Sequence, residues 1–339
     1  MNKSVDDWLL GHKTRAVRTQ DSGGFLFGRK KSPPPLKPGY GLTNLRAAAL
    51  KQPEVMVKIT RRKSNAGNGL KGIRNHLDYI SRNGEVEVEN QDGEKLNGKK
   101  ALRNQTKDWQ KLGIPENGKR REALNIVLSM PAGTPPQAVK DAAREFAAEQ
   151  FQGHQYAFAL HTDSERPDEP AHPHVHLCVL MRDEFGQRLN PRKNDLFEWR
   201  LRFAEKMREQ GVPCAATRRQ HRGVTIKENS TLKAMQKRGH VGQVHKRQAQ
   251  ELIEALQNSK RPVHLFMKEA VQTRAEIVDT YKQISKELYN SGHKTEARLL
   301  SKFAKEVINA GFTTQAQKVF DNTVQDIQQN INHDIDQER

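Results

Sequence analysis

Between His161 and His176 the chain reads HTDSERPDEPAHPHVH, preceded by QYAFAL and followed by LCVLM. At strand period His174 and His176 project from one face, and Val175, Leu177 and Val179 from the other. Upstream, Tyr156, Phe158 and Leu160 form a second apolar stripe, with Ala157, Ala159, His161 and Asp163 on the opposite face. Pairing these strands antiparallel through the loop 164–171 brings three imidazoles together beside a carboxylate, with two alanines leaving room for a substrate. Imidazole is the commonest metal-binding side chain, and three of them with open positions suit a catalytic ion rather than a closed structural one. The plain alternative is an exposed His-x-His pair with no ligand. His172 is either a loop residue or a further ligand. Cys178, also on the histidine face, is a soft fourth ligand or, as unpaired cysteines ordinarily are, a small buried hydrophobe.

The elements that must position this set follow from the apolar periods. VMVKIT (55–60) alternates as a strand, with Met56 and Lys58 facing away from Val55, Val57 and Ile59. A helix over about 70–83 buries Ile73, Leu77 and Ile80, and Tyr79 stands off that stripe among His76, Arg82, Asn75 and Asn83. EVEVEN (85–90) predicts a short strand or hairpin arm, and a helix follows over about 99–111. A strand ALNIVLS (123–129) and a helix over about 136–150, started by two prolines, precede the two histidine strands; a helix over 195–210 follows them. The order predicts an α+β fold: an antiparallel sheet with helices on one face and the other open to ligand. Lys58, Ser129, His161, Asp163, His174 and His176 fall on the open side. Residues 1–50 read as a mostly mobile basic arm, 51–246 as the sheet domain, and 247–339 as an all-α bundle in which Tyr281 and Tyr289 serve packing.

With 58 Lys plus Arg against 40 acids, the 339-residue chain carries a formal +18, as expected of a partner for a polyanion. From Arg182 to Arg222 eleven basic residues face six acids, and Arg218, Arg219 and Arg222 gather in an apparent loop suited to phosphate. Two cysteines argue against a disulfide framework and fit a reducing cytoplasm. There is no long apolar run and no signal core, so a soluble cytoplasmic protein is expected.

The set HLDYISRNG, LSMPAGT, HTD with HPHVH, and TRRQHRG resembles the relaxases, the mobilisation nucleases of the HUH endonuclease superfamily. The tyrosine motif comes before the histidine motif, the relaxase order rather than that of rolling-circle initiators. The resemblance spans about residues 52–225 and implies a site-specific nick in one strand at a plasmid transfer origin. It makes Tyr79 the nucleophile of a 5′-phosphotyrosine adduct, with His161, His174 and His176 holding Mg²⁺ or Mn²⁺. Asp163 would orient a histidine or take the tyrosine proton; Lys58, Ser129, Arg82, Arg218, Arg219 and Arg222 would meet DNA. Accessory relaxosome proteins and a type IV secretion coupling protein are the implied partners. A replication initiator or transposase of the same superfamily, or a non-catalytic DNA-binding protein with a structural metal, are the rival readings.

Overall fold

Among the described residues, alternating segments form six strands: β1 (Met56–Thr60), β2 (Val88–Asn90), β3 (Lys95–Leu96), β4 (Ala123–Ser129), β5 (His154–His161) and β6 (His174–Asp183). They make one sheet in the order β1-β4-β6-β5-β2-β3, and each assigned pairing is antiparallel. The structure is a computed structural model and describes residues 2–10, 33–60, 68–118, 120–162, 172–224, 243–263 and 266–337. It divides into two units, Met1–Thr217 and Arg218–Arg339.

In the first unit the apolar sheet face, with Leu124, Ile126, Leu128, Phe158, Val175, Leu177 and Val179 all buried, packs mainly against α5 (Pro136–Gln150), while α6 (Lys193–Glu209) packs on α5 and β1. Phe146, Phe151, Trp199 and Phe203 stack edge to face in that layer. The α+β class is as expected, but the histidine face is not bare. The helices α3 (Gly69–Ile80) and α4 (Gly98–Lys111) cover part of it, burying Leu70, Ile73, Leu77, Leu102 and Trp109 against Ala157, Ala159, Cys178 and Leu180. Each such aliphatic side chain stabilises the fold by about 1.5–3 kcal/mol. On β1, Met56 and Lys58 stay exposed, so the uncovered part of this face lies at that side of the sheet.

Two glycines pin α3 to α4. Gly69 (φ +69) starts α3 where an added Cβ would meet Pro115 O at 2.4 Å, and Leu70 and Lys71 donate amides to Pro115 O and Glu116 O just beyond α4. Gly84 (φ +94), past the other end of α3, abuts Lys99 N at the start of α4, so the helices run antiparallel. The predicted helix to residue 83 stops at Ile80, because Arg82 (φ 50), Asn83 (φ 58) and Gly84 all adopt left-handed backbone.

The expected N-terminal arm is partly folded. Asn2–Leu10 (α1) packs on α2 (Tyr40–Ala49) through Leu9, Leu10 and Leu45. The Asp6 carboxylate accepts the Gly39 and Gly41 amides at 2.8 and 2.6 Å, and the Tyr40 hydroxyl donates to Asp6 O at 2.9 Å. The basic cluster at 29–31 lies outside the described residues. The segment EVEVEN yields only the short β2, which turns through Asn90 into β3 and also joins β5.

The second unit begins nearer the sheet than the expected boundary at 246. Arg219–Arg222 is a 3₁₀ turn, not a loop, and it packs within this unit: the buried Tyr281 hydroxyl donates to His221 O, and Arg274 to Gly223 O at 3.1 Å. Among the described residues its helices are α7 (Gln243–Gln257), α8 (Met267–Asn290), α9 (Lys294–Asn309) and α10 (Gln315–Gln337). Tyr281 is a packing residue as expected, whereas Tyr289 is 54% exposed, with Lys294 Nζ 5.8 Å from its ring centre. No helix among the described residues is long and apolar enough to cross a membrane.

Candidate active site

The sheet register builds the site. One row across the strands reads Met56–Ser129–His174–His161 and the next Lys58–Val127–His176–Ala159. The small Ala159 opposite His176 gives the imidazoles space. Ring centres of His161, His174 and His176 lie 4.7–5.3 Å apart, and one ligand atom from each falls within 4.8 Å of the others. All three are buried.

Main-chain carbonyls orient two of these rings. His161 Nε2–H donates to Ile80 O, at the end of α3, at 2.7 Å, and His174 Nδ1–H donates to His172 O at 3.0 Å. These tautomers direct the lone pairs of His161 Nδ1 and His174 Nε2 elsewhere, the arrangement by which outer partners prepare imidazoles for a metal. His176 Nε2 is buried with no hydrogen-bond partner. Burial, reinforced by His161, His174, His76 and Arg82, pushes its pKa down to about 3, so the ring stays neutral. A neutral, buried nitrogen with no partner and two oriented neighbours fits a divalent ion.

The end of α3 delivers Tyr79 to this group. Its ring centre is 5.4 Å from that of His176 and 6.5 Å from that of His161, while His76, one turn earlier, stacks at 6.2 Å. Tyr79 is 48% exposed in an open cleft of about 710 Å³ lined also by Asn75, Asp78, Arg82, Asn83 and His161. The structure therefore gathers Tyr79, Arg82, His161, His174 and His176, with Ser129 beside His174 in the register and Lys58 exposed two strands from His176. Asp163 lies outside the described residues. Arg218, Arg219 and Arg222 belong to the second unit. His172 contributes a carbonyl, and Cys178 packs in the apolar cluster under α3 and α4 instead of joining the ligand group.

Two participants were not assigned roles from the sequence. His76 sits at helical spacing from Tyr79, but only the fold shows it edge-on to His176 at 6.5 Å as a fourth imidazole. The Ile80 carbonyl is a backbone atom, which no residue type signals.

Residues 79–212 match the family model of the relaxase nuclease domain, MobA/VirD2-like. The T-DNA border endonuclease VirD2 of Agrobacterium fabrum is 30% identical over 178 residues, 46% of this chain and 38% of that protein. VirD2 of Rhizobium radiobacter is 30% identical over 194 residues, 49% of this chain and 44% of that protein. VirD2 of Rhizobium rhizogenes is 29% identical over 177 residues, 46% and 39%. The matches thus span less than half the length of these relatives. A solved structure from work on vancomycin resistance transfer in Staphylococcus aureus aligns with 49% of this chain and 99% of that chain, at a TM-score of 0.30 and 15% identity, too weak a likeness to add to the argument. The nuclease region of this chain is thus similar to the MobA/VirD2-like relaxase nuclease domain and to the T-DNA border endonucleases VirD2.

Proposed function

We propose that this chain nicks one strand of DNA at a plasmid transfer origin, holds the 5′ end on Tyr79, and rejoins the strand by the reverse reaction. The observation that carries this reading is the half-exposed phenol of Tyr79 resting against His176 of the buried imidazole group. A divalent ion, Mg²⁺ or Mn²⁺, held by His161, His174 and His176 would stabilise charge on a non-bridging phosphoryl oxygen.

The remaining steps belong to the chain. Tyr79 Oη attacks phosphorus in line, an O–P bond forms, and the bond to the 3′ oxygen breaks. A phenol has a reference pKa of about 10, so its proton must be taken as the bond forms; Asp163 is the acceptor in this reading. Arg82, which lines the cleft, pairs with phosphate in this reading. One phosphoester is exchanged for another, so the reverse attack by the 3′-hydroxyl rejoins the strand without ATP. Lys58, Ser129, Arg218, Arg219 and Arg222 are further contacts to the strand. The chain would act in the bacterial cytoplasm and travel with the transferred strand, meeting accessory relaxosome proteins and a type IV secretion coupling protein.

Incubation with single-stranded DNA from the cognate origin should give a covalent adduct whose nucleotide maps to Tyr79 by peptide mass spectrometry. Tyr79→Phe should lose cleavage, adduct and rejoining together. Normal cleavage by Tyr79→Phe, or an adduct on Tyr281 or Tyr289, would overturn the reading.

A further inference from the structure

Beyond the cleft at Tyr79, the antiparallel α3 and α4 enclose a groove of about 470 Å³. Its walls carry Lys71 and Arg74 from α3 and Arg103 and Lys107 from α4, against one carboxylate, Asp78. Asn75 and Asp78 line both this groove and the Tyr79 cleft, so the two spaces adjoin along α3. At 1.5 Å rise per residue, the wall from Asp78 back to Leu70 is about 12 Å long.

The charge here works against helix stability. Neither α3 nor α4 has an acid in its first turn, where the macrodipole favours one. Lys71 occupies the first turn of α3, and Lys99 and Lys100 that of α4. Along α4, Lys99, Arg103, Lys107 and Lys111 recur every four residues, a spacing at which like charges repel. Arg74 is paired with Glu116 and Lys111 with Asp108, but Lys71, Arg103 and Lys107 make no ion pair among the described residues. A solvated helix would not need cations on both walls of a groove that adjoins the cleft of Tyr79. A polyanion lying in the groove would relieve the repulsion.

We propose that the α3–α4 groove guides one flank of a single DNA strand to Tyr79, with Lys71, Arg103 and Lys107 gripping its backbone phosphates. This rests on the nicking reading, in which a phosphodiester must reach Tyr79. Because the grip is on phosphates, the groove supplies affinity and path rather than sequence choice.

The test is Lys71→Ala/Arg103→Ala/Lys107→Ala in the full chain, with circular dichroism melts to show that it folds. Fluorescence anisotropy with a labelled single-stranded origin oligonucleotide, in EDTA and across a salt series, reads affinity without cleavage. Three lost contacts should lower the slope of log affinity against log salt by about two and weaken binding roughly 50-fold at 0.15 M salt. If the wild type forms its adduct while the folded triple variant keeps the wild-type affinity and slope, the groove proposal fails; the groove then suits an acidic polypeptide. If the variant loses affinity but the wild type forms no adduct, the groove stands and the nicking reading falls.

Discussion

His176→Leu separates the proposed metal site from the fold in a way that can be quantified. In the metal-free protein His176 Nε2 is buried with no hydrogen-bond partner, and such an orphan costs about 1–3 kcal/mol. Leucine occupies similar space between Ala159 and Val127 without a polar atom. The variant should therefore be more stable than the wild type in EDTA, by about 1–3 kcal/mol. At about 2–4 °C per kcal/mol for a unit of this size, that raises Tm by roughly 2 to 12 °C. A divalent ion at 100 times its Kd should stabilise the wild type by about 2.7 kcal/mol, and the variant by much less, since one ligand of three is gone. All three tryptophans, Trp8, Trp109 and Trp199, lie in the first unit, so their fluorescence during heating reports on the unit that holds the site. The reasoning is refuted if the variant melts below the wild type in EDTA, or if Mn²⁺ raises both proteins equally.

Gly69→Ala should destabilise the first unit by more than about 1 kcal/mol, since alanine must adopt φ +69 with its Cβ on Pro115 O; tryptophan-detected melting checks it. Arg82→Gly relieves a left-handed arginine backbone at φ 50, so Tm should rise slightly while single-strand cleavage slows; unchanged cleavage would remove Arg82 from the phosphate path. Burial, with Arg218 and Arg222 adding repulsion, pushes His221 down to about 4, below the unfolded value near 6.5. Its neutral burial therefore contributes fully above pH 6.5 and is lost as pH falls toward 4, about 2 kcal/mol by pH 5. Helical unfolding followed by circular dichroism at pH 7 and 5 should show a smaller pH loss in His221→Gln, and an equal loss would contradict the assignment.

The pattern of the central strands was legible because alternation has one meaning in a sheet buried on both sides: the histidines at 161, 174 and 176 share a face, and the register brings them into adjoining rows. The position of Tyr79 was legible from its place off the apolar stripe of α3. The end of α3 at Ile80 was not, since Arg82 does not announce left-handed backbone as glycine does, although Asn83-Gly84 after it is a turn signal. The folding of residues near the N-terminus was hidden because its anchor is one carboxylate, Asp6, meeting amides more than thirty positions away. The groove was hidden too: the cations of α3 and α4 read as two solvated faces until antiparallel packing sets them opposite each other.

The bond from His161 to the Ile80 carbonyl ties one of the imidazoles proposed to hold the ion to the residue next to the proposed nucleophile, Tyr79. Its consequence is thermodynamic reciprocity. Any event that shifts the last turn of α3, such as a DNA strand attached to Tyr79, changes the orientation of a metal-binding ring. On the proposed reading the ion's affinity would then differ between the free and the DNA-charged protein, and the ion would bias the equilibrium between cut and rejoined strands by the same factor. The concentration of free divalent ion would thereby become a thermodynamic control on the fraction of strands that is open.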